Sequence, residues 1–573
     1  MRREGEENMM ASDQSGHEVW RSYYPRDVDF DAPLTVAPLY QLLDESVATY
    51  GARPCIDFLS KKYTYAQVGA MVDRVAAGLQ RQGVGKGTKV GLFLPNCPYF
   101  IFFYFGVLKA GGTVVNFNPL YVEREIEKQI LDSETKIVVT LDLHALYPKL
   151  QPFLATGALA QVIVCPMADI LPFPKNILFP LIRRADRAHI PADSHNLWFR
   201  DLIADAAKPT PVQIDPVRDI AVLQYTGGTT GTPKGAMLSH ANLYANAAQS
   251  LRWCPGITLG HEKMLGLLPF FHVFAMTVVM NKSLLAGSEI IMLPRFDLEQ
   301  AMKTIHEKRP TLVPGVPTIY AAIANHKDLQ QYDLRSIRIC ISGGAPLPVE
   351  VKKQFEAVTG CTLIEGYGLT EASPVCFANP LTGTEKAGAI GLPLPQTHFS
   401  IRNPANPTEE VPQGERGELC VKGPQVMLGY WRRPEETAAV MVEGYLRTGD
   451  IGFIDTDGYV HLVDRIKDLI ICGGYNVYPR TIEEAIYQHP AVAEVTVIGI
   501  SDTYRGETVK AFVVCKPGYD VAAEALIGFL KDKLSPIEMP KHIEFRTSLP
   551  KTMIGKLSKK ELVAEEREKA KLG

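Results

Sequence analysis

Lys89-Val90-Gly91-Leu92-Phe93-Leu94 is a short apolar run, closed by Pro95-Asn96-Cys97-Pro98. An apolar stretch then runs to Leu108, and Thr113-Val114-Val115-Asn116-Phe117 follows. The order reads as strand, turn, helix, strand, the repeating unit of a parallel sheet. Its first part, Val90 to Leu108, is uncharged and long enough to tempt a membrane-spanning reading. Pro95 and Pro98 break it, so it reads instead as buried core. Met264 to Asn281, interrupted by Pro269 and His272, is read the same way.

Outward from this unit the alternation continues. Lys136-Ile137-Val138-Val139-Thr140 is a further strand, as are Glu289 to Leu293, Ile337 to Ile341 and Thr362 to Glu365, with helical segments between. Upstream, Thr35 to Gly83 is helical in pattern, with a hairpin signal at Phe58 to Tyr65. After Pro380 the chain turns to Gly/Pro-punctuated β segments: Phe399 to Ile401, Gly417 to Val421 and Gly458 to Leu462. From Asp464 a compact α+β unit is expected. Its first helix follows Tyr478-Pro479, with Thr481 and Glu484 in capping-box spacing. The expected fold is α/β: a large N-terminal domain of layered α/β subdomains plus a small β subdomain, then a smaller, mobile α+β C-terminal domain. The expected boundaries are a flexible 1–30, an N-terminal domain over 31–464 with its β subdomain at about 385–464, and a C-terminal domain over 465–573.

Composition bounds the partners. The 573 residues suit about three to four domain-sized units, and 46% hydrophobic with 21% charged is ordinary globular usage. A formal charge of -3 gives no global basic field for a nucleic acid, so none is expected as partner. The 10 cysteines are scattered without a CxxC, which argues against a disulfide framework or a zinc site and for a reducing, cytoplasmic setting. No secretory leader pattern opens the chain. At Leu171 to Arg184, apolar Leu171, Phe173, Ile177, Leu178 and Phe179 stand beside Lys175, Arg183 and Arg184. That composition fits either peripheral contact with the inner face of an anionic membrane or a core-packed loop with a solvated basic edge.

The strongest chemical signal is Tyr225-Thr226-Gly227-Gly228-Thr229-Thr230-Gly231-Thr232-Pro233-Lys234-Gly235. Small residues let backbone N–H groups close around phosphate oxygens, while threonine hydroxyls and Lys234 add donors and charge. Gly235 follows the lysine where a Walker A loop needs Ser or Thr, so an ordinary P-loop NTPase is disfavoured.

This loop resembles the phosphate-binding signature of the adenylate-forming superfamily, which includes acyl-CoA synthetases, adenylation domains and luciferases. Five further segments resemble that family's motifs in order: Ser342-Gly343-Gly344-Ala345-Pro346-Leu347, Glu365-Gly366-Tyr367-Gly368-Leu369-Thr370-Glu371, Tyr445 to Asp450, Asp464 to Asp468, and Pro550 to Lys556. Gly444 to Lys467 is similar to the signature of fatty acyl-CoA synthetases in particular.

The resemblance implies ATP, Mg²⁺ and CoA as cofactor and co-substrates, and a site residue by residue. Thr226, Gly227, Gly228, Thr229, Thr230 and Lys234 would cradle phosphates. Gly344, Ala345, Glu365, Gly366, Tyr367 and Gly368 would line the adenine side. Asp450 and Arg465 would hold the ribose. Thr370 would meet the α-phosphate; Glu371 and Thr229 would meet Mg²⁺, a hard cation that takes one or two carboxylates plus phosphates. Lys556 would stabilise charge at the α-phosphate. His272 would flank the acyl group or serve as a buried structural histidine. Lys467 would be the hinge, with Gly473, Gly474 and Tyr475 on the thioester-forming face.

The implied reaction is attack of a carboxylate on ATP to give acyl-AMP and pyrophosphate, then transfer to CoA. A medium- or long-chain fatty acid is the expected substrate, because the motifs resemble those of fatty acyl enzymes and the 170–190 segment suits a lipid-borne substrate. A dicarboxylic or aromatic acid is the alternative. Two readings of other classes stand beside it: an acyl-AMP ligase loading a carrier protein, and a catalytically silent lipid-binding relative. A homodimer is a further expectation.

Overall fold

The computed structural model describes residues 19–205, 207–226, 233–472, 475–502, 505–552 and 555–572. Its centre is a seven-stranded sheet in the order Asn196–Trp198, Gln161–Cys165, Ile137–Leu141, Lys89–Leu92, Thr113–Asn116, Ile220–Thr226, Lys234–Ser239. All pairings are parallel except the last, where Thr226 faces Lys234 across an antiparallel hairpin. The strand–helix–strand reading of residues 89–117 holds. The helix Pro98–Lys109 starts on a proline, which needs no N–H partner there, and is buried from Pro98 to Leu108. Burial on every side explains why this helix has no polar stripe.

A four-stranded sheet, Lys263–Gly266, Glu289–Met292, Pro54–Phe58 and Lys61–Thr64, includes the expected hairpin. A second joins Ile339–Ser342, Thr362–Gly368, Val375–Ala378 and Leu392–Pro393. Met264 to Asn281 is a strand followed by a buried π-helical segment, Ala275–Asn281. The β subdomain runs Asn406–Glu410, His398–Asn403, Gly417–Lys422, Tyr445–Ile454, Met441–Val442, with Val460–Arg465 also on Tyr445–Ile454.

Beyond Arg465 a five-stranded sheet has its own core, with Ile470, Val477, Ile482, Ile486, Val497, Val509 and Leu526 buried together. A separate core is the mark of a unit distinct from the large N-terminal domain.

Three expectations are corrected. Residues 19–30 pack: Trp20, Val28 and Phe30 are buried in a cluster with Trp253 and Tyr459, and the Tyr23 hydroxyl donates to Asp457 Oδ1 at 2.8 Å. The aromatic payload outweighs the polar composition that suggested a loose leader up to residue 30. The helix Pro479–Tyr487 has Tyr478 as N-cap, and a tyrosine offers no short side-chain acceptor to the first turn; Thr481 lies inside the helix, past the N-cap position, and forms no capping box. Finally, Lys175–Ile182 is a helix and not a crossing loop: half-buried Phe179 packs against the main core and Leu171 before it is buried, while Ile177, Leu178, Leu181 and Ile182 stay exposed.

Candidate active site

Asp450 and Arg465 are cross-strand partners in the β subdomain, which sets the arginine Nε 3.2 Å from Asp450 Oδ1. The other carboxylate oxygen accepts from the Tyr367 hydroxyl at 2.5 Å. Asp450 is 7% exposed, yet its backbone N–H also reaches Thr448 Oγ1 at 3.1 Å. A buried carboxylate held by a phenol on one oxygen and a guanidinium on the other is oriented before any ligand arrives. Two motifs far apart in sequence thus meet at one point.

Tyr367 gets there because its strand ends in a tight return. A Cβ on Gly368 would lie 2.1 Å from the Pro374 carbonyl oxygen, so only glycine permits the turn into the 3-10 segment Thr370–Ala372. Gly366 pairs with Ala378 in the same ladder. Glu365 takes a different place. Its carboxyl is buried and pushed up to about 7, by desolvation first, with Arg480 of the C-terminal unit opposing. The charges around it are Arg480, Glu484 and Glu385, whereas Arg465 answers to Asp450, Asp468 and Glu371. Glu365, expected on the adenine side, thus has its carboxyl near Arg480 and Glu484 of the C-terminal unit, and not among the charges that act on Arg465.

Lys556 closes the site from the C-terminal unit. Gly344 stands in a left-handed conformation (φ +83°), and a Cβ there would meet Lys556 Cε at 2.6 Å. Ala345 follows, half-buried. The contact is anchored nearby, where the Thr318 hydroxyl donates to the Gly555 carbonyl at 2.9 Å. Burial, with Arg465 adding to it and Asp450 opposing, pushes Lys556 down to about 8. His272 is pushed down to about 3, by burial first and by Lys556 second, so its ring is neutral. Its Nδ1 accepts the Phe274 N–H at 3.3 Å. Phe274 in turn lies against Gly343, where a Cβ would come within 3.1 Å of its ring.

On the phosphate side, Gly227, Gly228, Thr229 and Thr230 lie outside the described residues. The strand ends that flank them are in place: Thr226 closes one strand and Lys234 opens the next. The Lys234 ammonium contacts the Glu436 carboxylate and lies over the Tyr430 ring, 5.2 Å from its centroid. The Tyr430 hydroxyl donates to Glu371 Oε1 at 2.7 Å. Among the described residues no group of three His, Cys, Asp or Glu could hold a metal on its own. A lone carboxylate such as Glu371 fits Mg²⁺ that takes its remaining oxygens from phosphates and water.

Sequence reading set Thr318 near the acyl group, within Gly315 to Tyr320, but missed Tyr430, Glu436 and Arg480. None of these three sits in a motif, and their partners lie tens to hundreds of positions away. Lys467 occupies the 3-10 turn Ile466–Asp468 between the two units, and Tyr475 is 67% exposed. Gly473 and Gly474 are outside the described residues. The lysine-bearing face of the C-terminal unit is thus turned into the cleft.

The profile of the AMP-binding enzyme family matches residues 43–431, and that of the AMP-binding enzyme C-terminal domain matches 481–556. The chain is 47% identical to a long-chain-fatty-acid–CoA ligase of Bacillus subtilis, over 96% of this chain and 98% of that protein. It is 37% identical to one of Escherichia coli O6:H1, over 96% and 99%. Among solved structures, an anthranilate CoA ligase in complex with anthranoyl-AMP superposes with a TM-score of 0.82 at 25% identity, over 94% of this chain and 99% of that one.

Proposed function

The chain belongs to the AMP-binding enzyme family, and on that premise we propose that the residues just described carry out its reaction. It is an acid–thiol ligase using ATP, Mg²⁺ and CoA, and its substrate is a fatty acid, as in long-chain-fatty-acid–CoA ligases that match it nearly end to end. The fatty acid is converted to acyl-AMP with release of pyrophosphate, and the acyl group then passes to CoA with release of AMP.

The observation that carries the residue assignments is the convergence of Lys556, Asp450, Arg465 and Gly344 from two separately cored units. Asp450 and Arg465 bind the ribose. Tyr367 orients Asp450 and turns its ring to the adenine beside Gly344 and Ala345. Lys234 and the 227–232 loop bind the outer phosphates, and Thr370 the α-phosphate. Mg²⁺, held by Glu371 and phosphate oxygens, supplies further positive charge there when bound. Lys556 neutralises the charge that moves onto the α-phosphate as the carboxylate attacks. No nucleophilic side chain is needed; positioning and charge are the protein's contribution. Neutral His272, with Phe274 against Gly343, flanks the carboxylate without adding a competing charge.

Lys556 in place blocks the approach to the acyl carbonyl, so thioester formation needs the unit from 465 onward to turn about Lys467 and present Tyr475, now exposed, with Gly473 and Gly474. Turnover of a panel of carboxylic acids with ATP and CoA tests the substrate class. Activity rising with chain length supports a fatty acid, and a preference for dicarboxylic or aromatic acids would overturn it.

We further propose that Lys175–Ile182 rests on an anionic membrane surface. No helix of the described residues is long and apolar enough to cross a membrane. Phe173, Ile177, Leu181 and Ile182 are 79%, 56%, 72% and 73% exposed, beside Lys175, Arg183 and Arg184. An apolar helix face edged by cations suits a lipid surface. A homodimer burying the same face is the competing outcome, distinguished by sedimentation with and without vesicles.

A further inference from the structure

Lys234, the lysine that follows the phosphate-binding loop, already has an anion. Its ammonium contacts the carboxylate of Glu436, from the short helix Pro434–Val440. Glu436 is itself held. Arg433 Nε lies 3.5 Å from its other oxygen, and Arg433 is tied through its second arm to Asp132 at 2.7 Å. Asp132 also accepts from the Tyr225 hydroxyl at 2.6 Å, and its carbonyl from Trp431 Nε1 at 3.1 Å. Tyr225 lies in Ile220–Thr226, the strand that feeds the loop. A carboxylate is thus presented to Lys234 by a chain of contacts running back to the loop's own base.

Tyr430 completes the arrangement. It touches two charged groups at once: Lys234 over its ring and Glu371 on its hydroxyl. We propose that Glu436 is a stand-in anion: it holds Lys234 when no polyphosphate is bound, yields it to the β- and γ-phosphates of ATP, and recaptures it as pyrophosphate leaves. The inference rests on the reading that Lys234 binds the outer phosphates. It makes Glu436 a positioning residue that acts through Lys234.

The pair is well suited to exchange. The side chains of Lys234 and Glu436 are 26% and 39% exposed. Ion pairs at such positions are weak, so a polyphosphate carrying several charges displaces the carboxylate readily. The competition concerns only ligands that have outer phosphates. ATP and pyrophosphate should feel Glu436, and AMP should not.

The test uses the full chain with Mg²⁺. Affinities for a non-hydrolysable ATP analogue, for pyrophosphate and for AMP are measured calorimetrically on wild type, Glu436→Gln, Glu436→Asp, Lys234→Ala and the Glu436→Gln/Lys234→Ala double variant. Glu436→Gln should tighten the ATP analogue and pyrophosphate about three- to fivefold, the most that releasing an exposed pair can return. AMP affinity should stay at the wild-type value. Glu436→Asp, too short to span the contact, should lie between. In the double variant the gain should vanish, because the competitor has nothing left to compete for. Unchanged or weaker ATP-analogue binding in Glu436→Gln, with Lys234→Ala still weakening it, would overturn the stand-in role and leave the lysine's role intact. Unchanged ATP-analogue binding in Lys234→Ala would overturn the reading beneath both. Equal tightening of AMP would likewise count against the proposal, since a merely structural effect of Glu436 would reach all three ligands.

Discussion

Replacing Lys556 by alanine separates the two half-reactions. Its side chain lies against Gly344, within the fields of Arg465 and Asp450. A unit charge placed about 4 Å from the α-phosphate is worth about 1 kcal/mol in water and about 4 kcal/mol at the effective dielectric of ~20 suited to protein sites. The partly buried setting favours the second figure, and about 4 kcal/mol corresponds to a loss of roughly a thousandfold in rate. Loss of a single preorganised donor in other sites costs about a hundred- to a thousandfold, so the two routes agree. The lysine acts where charge moves during the first step only. With the C-terminal unit turned about Lys467 as proposed, the lysine is absent from the second step. Fatty-acid-dependent ATP–pyrophosphate exchange should therefore fall about a hundred- to a thousandfold in Lys556→Ala. Thioester formation from supplied acyl-adenylate and CoA should stay within about twofold of wild type, the size of effect expected of a residue absent from that transition state. Equal losses in both assays would refute the reasoning, because they would place the lysine in both transition states or assign it a structural role.

Three other outcomes follow from the same geometry. Lys556 is held near 8 by burial and Arg465, and only its cation is useful, so kcat/KM for adenylation should be level below about pH 8 and decline above it. The decline should be absent from the residual rate of Lys556→Ala; a wild-type profile level to pH 10 would contradict the assignment. Lys467→Pro, which fixes φ in the interdomain turn and removes an N–H, should keep adenylation and lose thioester formation. Wild-type turnover in the complete assay would show that the pivot lies elsewhere. Reversing charge at Arg183 and Arg184 should weaken salt-sensitive binding to anionic vesicles, each basic residue contributing about 1 kcal/mol at such a surface, and unchanged vesicle sedimentation would dismiss the contact.

Most of the parallel layering was legible because strand burial leaves a plain trace: Thr113–Asn116 and Ile137–Leu141 are buried at every position, and each carries β-branched apolar residues in a row, Val114-Val115 and Ile137-Val138-Val139. The site residues were legible as motifs, but not their mutual placement. Asp450 and Arg465 adjoin only because two strands pair in one register, which local sequence does not encode. Glu365 shows the limit most clearly. It shares a motif with Tyr367, yet its carboxyl is buried toward Arg480 of the other unit. Tyr430 and Glu436 were invisible for the complementary reason: their partners, Glu371 and Lys234, are 59 and about two hundred positions distant. The buried N-terminal aromatics misled in the same way. Trp20 and Phe30 look isolated in a polar stretch until the β subdomain supplies the surface they cover. Composition measures what a segment carries, and burial depends on what it meets.

The path of one oxygen atom tests the central claim most directly. With a fatty acid labelled with oxygen-18 in its carboxylate, incubated with ATP, CoA and Mg²⁺, attack on the α-phosphorus puts one labelled oxygen between acyl group and phosphate. Thiolate attack at the carbonyl then leaves that oxygen on AMP. Mass spectrometry should find one label in AMP, one in the acyl-CoA carbonyl and none in pyrophosphate. Unlabelled AMP, or label in a phosphate other than that of AMP, would contradict an acyl-adenylate route through this site.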